Sequence, residues 1–221
     1  MISAPKDPVP VFPLPGMVLF PYVMLPLHIF ELRYRTMVRE ALSGERSIAM
    51  ALLKPGWECD YHGSPEFFRL GCLARIDEVE WLPNDCYNLK VAGLTRVRFE
   101  RVVQEFPYRS ARVRVLQQDP YLEDDPLVQI EKRALLDSFQ RLREAQAHGA
   151  PSKAAPFNDE MPYEALVNAL CVGVDGAPEQ KLDLLSLDSV IERGRRIREI
   201  TEEHLKRHVP PPPPTEGGEQ N

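Results

Sequence analysis

A chain of 221 residues, 43% hydrophobic and 27% charged, is large enough to bury a core and too polar for a bundle of membrane spans. No apolar run approaches the roughly 18 residues that cross a bilayer, and the start, Met1 to Asp7, lacks a basic stretch followed by an apolar one, so the expected address is cytoplasmic. Net charge is −6 and unevenly held: residues 1–119 carry 15 Lys+Arg against 14 Asp+Glu, and residues 120–221 carry 12 against 19. The change at Asp119-Pro120 predicts two structural units and argues against nucleic-acid affinity of the whole chain.

In chain order, five prolines (Pro10, Pro13, Pro15, Pro21, Pro26) punctuate the apolar runs Val9–Phe12, Val18–Phe20 and Val23–Leu25. Proline removes a ladder donor, so these runs are expected as short, edge or bulged strands. A helix is expected from about Phe30 to Leu42, where Phe30, Tyr34, Met37, Val38 and Leu42 recur at helical steps and Ser43-Gly44 supplies a stop. Residues 47–117 read as β. Ile48–Leu53 suits a strand buried on both faces, Trp57–Arg69 an irregular loop, Gly71–Glu80 a strand, Pro83-Asn84-Asp85 a turn, and Cys86–Ala92 its hairpin partner. Alternation continues around Val97 and Phe99, and again at Ala111, Val113 and Val115. Residues 126–207 read as helices: one carrying Val128, Leu135, Phe139 and Leu142, a loop at 147–158, a second over Glu160–Val174, a short one over Pro178–Leu185, and a longer one carrying Val190, Ile197 and Leu205. Pro210–Pro214 and the residues after them suit polyproline II and a disordered end.

The fold class expected is α+β: a small barrel or folded sheet with one helix over residues 8–118, a helical bundle over 120–207, and a Pro-rich tail over 208–221.

Several stretches together carry a family pattern: Phe12-Pro13-Leu14, Val18-Leu19-Phe20-Pro21, Pro26-Leu27-His28-Ile29-Phe30-Glu31 with Arg33-Tyr34, then Gly71-Cys72-Leu73-Ala74-Arg75-Ile76, Gly93-Leu94-Thr95-Arg96-Val97-Arg98, Tyr108 with Ala111 and Val113, and a helical stretch from Pro178 to Leu185. Over roughly residues 8 to 207 the chain resembles the N-terminal, substrate-binding domain of Lon-type ATP-dependent proteases. The resemblance implies a β unit similar to PUA-type folds and a part in recognising substrates and supporting assembly.

Catalytic patterns of such proteases are absent from the sequence. A phosphate-binding loop needs Gly-x4-Gly-Lys-Ser/Thr, and no Gly-Lys pair occurs. The resemblance also calls for a Ser–Lys peptidase dyad, and the adjacent Ser152-Lys153 sits in a Pro/Ala stretch with no nucleophile setting. The five histidines show no metal spacing, and the four cysteines form no Cys-x-x-Cys pair. Cys59-x-x-His62 with Cys72 and Cys86 lacks the two tight pairs of a zinc site, so the cysteines read as free, small apolar residues and no metal or cofactor is expected. His28 reads as a residue fixing the strand-to-helix corner, and Glu31 as a dipole partner or an i+4 partner of Arg35.

Two sets of residues suit binding. Trp57, Tyr61, Phe67, Phe68 and Trp81 cluster around the irregular β region and offer large apolar area to an extended chain. Arg96, Arg98, Arg112 and Arg114 would share one sheet face if their strands are neighbours, suiting an acidic peptide or phosphate; the competing reading is a solvated face paired with Glu100. The resulting expectation is a non-enzymatic module for unfolded or damaged polypeptide, or for a protease or adaptor subunit, acting in protein quality control through a groove between the β unit and the helices. A PUA-like module for nucleic acid or a small ligand is the alternative. The near-neutral first half and the lack of a basic-aromatic cluster weigh against nucleic acid.

Overall fold

The computed structural model describes residues 5–61, 63–147 and 160–208. The loop expected at 147–158 falls almost wholly outside these residues, as do Ser152-Lys153, His62 and the Pro210–Pro214 tail. Six strands and five α-helices follow in the order β1 (Val9–Leu14), β2 (Met24–Ile29), α1 (Leu32–Ser43), β3 (Ser47–Leu53), β4 (Phe67–Leu82), β5 (Cys86–Gln104), β6 (Ser110–Val115), α2 (Pro126–Ala147), α3 (Tyr163–Gly173), α4 (Pro178–Ser186) and α5 (Val190–His208). The expected α+β class, a barrel-like sheet with one helix followed by a helical bundle, is what forms.

Sheet order is β2-β5-β4-β3-β1-β6, and β6 pairs back onto β5, so five strands close a ring and β2 lies outside it. β1 and β3 run parallel; the other pairings are antiparallel. Closure depends on the length of β5. Its first half, Tyr87–Ala92, holds β2, and its second half, Val97–Gln104, holds β6, while β4 pairs along both. The sequence pattern suggests two strands here because Gly93 interrupts the alternation. The strand instead runs through Gly93, where a Cβ would lie 2.1 Å from the Phe20 carbonyl oxygen. Tyr22 N–H donates to Gly93 O and Gly93 N–H donates to Val23 O, both at 2.9 Å, so only glycine admits the Pro21-flanked segment so close.

Val18–Phe20 therefore forms no strand. Leu19 enters the core under α1, while Val18 and Phe20 enter the core of the helical unit. Burying a Phe of this kind contributes about 3–5 kcal/mol against truncation to Ala. The proline-punctuated stretch thus stitches the two units together. β3 is buried on both faces as expected: Ile48 and Met50 lie under α1, and Ala49 and Ala51 face the barrel interior with Val97 and Phe99. Helix α1 begins two residues later than expected. Glu31 is its N-cap, with its carbonyl accepting from Tyr34 and Arg35, which leaves Phe30 outside the helix and exposed.

In the helical unit Val128, Leu135 and Leu142 are buried with Phe139 beside them, along the stripe the sequence shows. Glu131 of α2 accepts from Arg195 and Arg198 of α5, each at 3.3 Å. Two buried arginines fix the corner between α4 and α5. Arg193 donates to Leu184 O (3.0 Å), Leu187 O (2.6 Å) and Asn168 Oδ1 (2.8 Å). Burial, aided by the Arg96 charge, pushes the Arg193 guanidinium below its ordinary range. Arg96 reaches the same corner from β5. It donates to Leu185 O (3.0 Å), Leu187 O (2.8 Å), Gln117 O (2.7 Å) and Asp188 Oδ1 (2.8 Å).

Candidate functional site

The cleft best furnished for recognition lies at one end of the barrel. The first turn of α1 forms one wall (Leu32, Arg33, Tyr34), the β5–β6 turn another (Phe106, Pro107, Arg109), with Val11 and Pro13 of β1 and the Gly63-Ser64 loop completing a volume of about 420 Å³. Two apolar residues of its lining are open: Leu32 is 69% exposed and Phe106 77% exposed. Exposed apolar side chains grouped over a concavity mark an interaction site far better than scattered ones.

Two arginines give the cleft its polarity, and aromatic rings hold both. Arg33 donates from Nε to Glu31 Oε2 (3.1 Å), from Nη1 to Gly63 O (3.2 Å) and from Nη2 to Tyr61 O (3.0 Å). Its guanidinium lies 4.7 Å from the Tyr34 ring centroid and 5.6 Å from that of Tyr61. The Tyr61 hydroxyl donates to Glu31 Oε1 at 2.9 Å, so one carboxylate locks the start of α1 to the loop after β3. Burial pushes the Tyr34 phenol up to about 12, which keeps it a neutral part of the wall. Arg109, 8% exposed, donates from Nη1 to Pro65 O at 2.6 Å and lies 4.9 Å from the Phe67 ring centroid.

The five aromatic residues singled out from the sequence do not form one surface. Trp57 and Tyr61 meet edge to face at 5.5 Å beside the cleft. Phe67 turns into the barrel against Phe99, at 5.1 Å, and supports Arg109. Phe68 packs toward the helical unit. Trp81 is 63% exposed against Tyr87, at the tip of the β4–β5 hairpin and away from the cleft. The residues that line the cleft were missed because an exposed Phe in a turn and a Leu at a helix start carry no periodic signal. Phe106-Pro107, an aromatic followed by proline at a strand end, was the sign available. Glu31 also takes Arg33 and Tyr61 as partners; Arg35, its expected i+4 partner, goes to Asn84 O (2.8 Å) and Asp85 (3.7 Å) instead. His28, exposed, has its Nδ1 2.9 Å from Oδ1 of Asn88, its cross-strand partner on β5.

The four arginines divide. Arg96 and Arg98 are two residues apart on one strand and share its outer face, but the α4–α5 corner covers that face at Arg96, which is 2% exposed. Arg98 and Arg114 are direct cross-strand partners in the open, as are Arg112 and Arg101, the latter brought in by a bulge after Phe99. Glu100 pairs with Arg114 at 3.5 Å. The exposed set is thus Arg98, Arg101, Arg112 and Arg114. Like charges directly opposed on a sheet are unfavourable by themselves. A groove of about 520 Å³ between the barrel and α3 does exist, lined by Tyr22, Thr95, Leu116 and Glu164, but its arginine, Arg96, is fully engaged.

Cys72 and Cys171 are buried, Cys86 is half-buried and Cys59 exposed, all as free thiols. Among the described residues no group of three His, Cys, Asp or Glu side chains is placed to hold a metal ion, and no helix is long and apolar enough to cross a membrane.

The architecture is thus a closed barrel with one helix, joined to a helical bundle. Residues 8–203 match the family model of the ATP-dependent protease La (LON) substrate-binding domain, and the chain belongs to that family. A Lon protease of Chloroflexus aurantiacus is 30% identical over 141 residues, which cover 62% of this chain and 17% of that protein. Two further Lon proteases are covered over 22% and 24% of their length, so the chain spans about a fifth of the curated relatives it matches. Among solved structures, the N-terminal domain of Mycobacterium avium complex Lon protease superposes with a TM-score of 0.65 at 18% identity, covering 90% of this chain and all (100%) of that one. A Lon N-terminal domain protein from Xanthomonas campestris gives a TM-score of 0.62 at 21% identity, covering 86% and 96%.

Proposed function

We propose that this chain is a polypeptide-recognition module with no chemistry of its own. It takes apolar segments of unfolded or damaged polypeptide into the cleft between α1 and the β5–β6 turn. It serves protein quality control in the cytoplasm, together with a protease or adaptor subunit. The observation that carries the reading is the pair Leu32 and Phe106, both exposed and both lining one concavity. Membership of the substrate-binding family supports it. The sequence supports the absence of chemistry: no Gly-Lys pair is available to cradle a nucleotide phosphate.

Arg98, Arg101, Arg112 and Arg114 would add an electrostatic face for acidic segments of the same client or of a partner. The near-balanced charge of residues 1–119 favours local acidic contacts over a nucleic-acid track.

The test is binding of a permanently unfolded, reduced and alkylated protein to Leu32→Asp/Phe106→Asp. Two charges placed on the rim should weaken binding by about tenfold or more, or about 1.4 kcal/mol, with far-ultraviolet ellipticity and thermal midpoint unchanged. Unaltered affinity in a folded double variant would overturn the assignment to this cleft.

A further inference from the structure

We infer that Arg109 is the anchor for a side-chain carboxylate, so that the cleft selects extended segments in which Asp or Glu neighbours an apolar residue. The inference rests on the cleft being the polypeptide site. It starts from an imbalance. Arg109 is only 8% exposed, yet among the described residues its one hydrogen bond is from Nη1 to Pro65 O, at 2.6 Å. The Phe67 ring lies beneath it at 4.9 Å. Asp60 and Glu105 are near enough to act on its charge, but among the described residues no carboxylate forms an ion pair with it. The two other buried arginines make more bonds: Arg96 four, to three carbonyls and Asp188, and Arg193 three, to two carbonyls and Asn168. A buried guanidinium is stable in proportion to the bonds and charges that meet it. Arg109 keeps N–H groups without a partner among the described residues, and it lines the cleft.

The surroundings say which carboxylate. A chain terminus is held by converging backbone N–H groups, and several along this cleft are spent or missing, the uncapped first turn of α1 at Leu32 and Arg33 being the exception. Val11 N–H donates to Arg109 O, Tyr34 N–H to Glu31 O, Gly63 N–H to Asp60 O, and Ser64 N–H to Asp60 Oδ2. Pro13 and Pro107 have no N–H. Arg33, the other guanidinium of the lining, donates from Nε, Nη1 and Nη2 to fixed partners. What is offered is one guanidinium edge in a lining that also holds the apolar Leu32 and Phe106, with the exposed Glu105 as its acidic group. That combination fits an acidic side chain flanked by apolar ones, with the planar fork meeting two carboxylate oxygens.

The experiment measures fluorescence anisotropy of short labelled peptides, amidated at the C-terminus, in which a Glu or an isosteric Gln sits between Leu and Phe. Wild type should bind the Glu peptide about tenfold more tightly than the Gln peptide, the scale of a charge-assisted bond over a neutral one. Arg109→Met keeps the length and the apolar stem, and should bind both peptides equally, at the wild-type affinity for Gln. Arg109→Lys, with a charge but no fork, should recover part of the preference. Equal affinity of wild type for Glu and Gln, or a preference that survives in Arg109→Met, would overturn the inference while leaving the apolar cleft standing. Preference gained by the Gln peptide when its C-terminus is freed would also overturn it, in favour of terminus capture. Failure of every peptide to bind would remove the cleft reading and this inference together.

Discussion

Arg96→Ala should uncouple the helical unit from the barrel. The side chain gives four hydrogen bonds at 2.7–3.0 Å to the α4–α5 corner and the chain after β6. Three of its acceptors are main-chain carbonyls; the fourth, Asp188, is well exposed, and its share of the ion pair is correspondingly small. Leu187 O keeps a bond from Arg193, so the loss falls chiefly on Leu185 O and Gln117 O. Leaving two buried carbonyls without their donor costs about 1–3 kcal/mol each, against total stabilities of roughly 5–15 kcal/mol. Arg96→Lys keeps the charge without the fork and should cost about half as much. The assay is urea unfolding read two ways. Tryptophan fluorescence reports the β unit, since Trp57 and Trp81 both lie there, and far-ultraviolet ellipticity reports mainly the helices. The two curves should coincide for wild type. In the variant the helical signal should be lost at lower urea. A loss below about 1 kcal/mol with coincident curves would refute the claim that Arg96 clamps the units.

Thiol reactivity should follow burial. Cys59 should react with an aromatic disulfide first and Cys86 more slowly, while Cys72 and Cys171, whose thiols burial pushes up to about 12, should react only on unfolding. Four equally fast thiols would contradict the packing described. Alkali should destabilise the fold in a defined window. Burial raises the Tyr34, Tyr108 and Tyr121 phenols from 10.0 to about 12, so above pH 10 the unfolded chain holds fewer protons than the native one and stability falls until about pH 12. Urea midpoints that stay flat from pH 9 to 12 would show that these phenols ionise freely in the native state. Gly93→Ala should lower stability by several kcal/mol because its Cβ would strike the Phe20 carbonyl, and a thermal midpoint within a degree or two of wild type would show that the contact relaxes.

The fold was legible where period and punctuation agree. Val128, Leu135 and Leu142 announce α2, and Ile48–Leu53 announces a strand covered on both sides. Legibility failed where tertiary contact overrode local pattern. Val18–Phe20 looks like a strand but spends its side chains in two different cores, and β5 passes through a glycine that ordinarily ends a strand. The arginine face was half legible. The spacing gives the shared face of Arg96 and Arg98 but not the helical corner that covers one of them. Arg101 enters through a bulge that shifts the register with β6, which no alternation reveals. Of the cleft's surroundings, the sequence singles out Tyr61 and Phe67, whose rings lie beside the guanidinium groups of Arg33 and Arg109. Leu32 and Phe106, the proposed contact surface, are isolated apolar residues until the fold places both along one cleft.

Backbone hydrogen exchange of the full chain with and without a saturating unfolded protein tests the central claim most directly. Client binding in the cleft predicts slowed exchange at residues 32–36, 63–66 and 105–109, with the β4–β5 hairpin tip around Trp81 unchanged. Protection confined to the Trp81 tip, or to the groove between the barrel and α3, or to no segment at all, would contradict it.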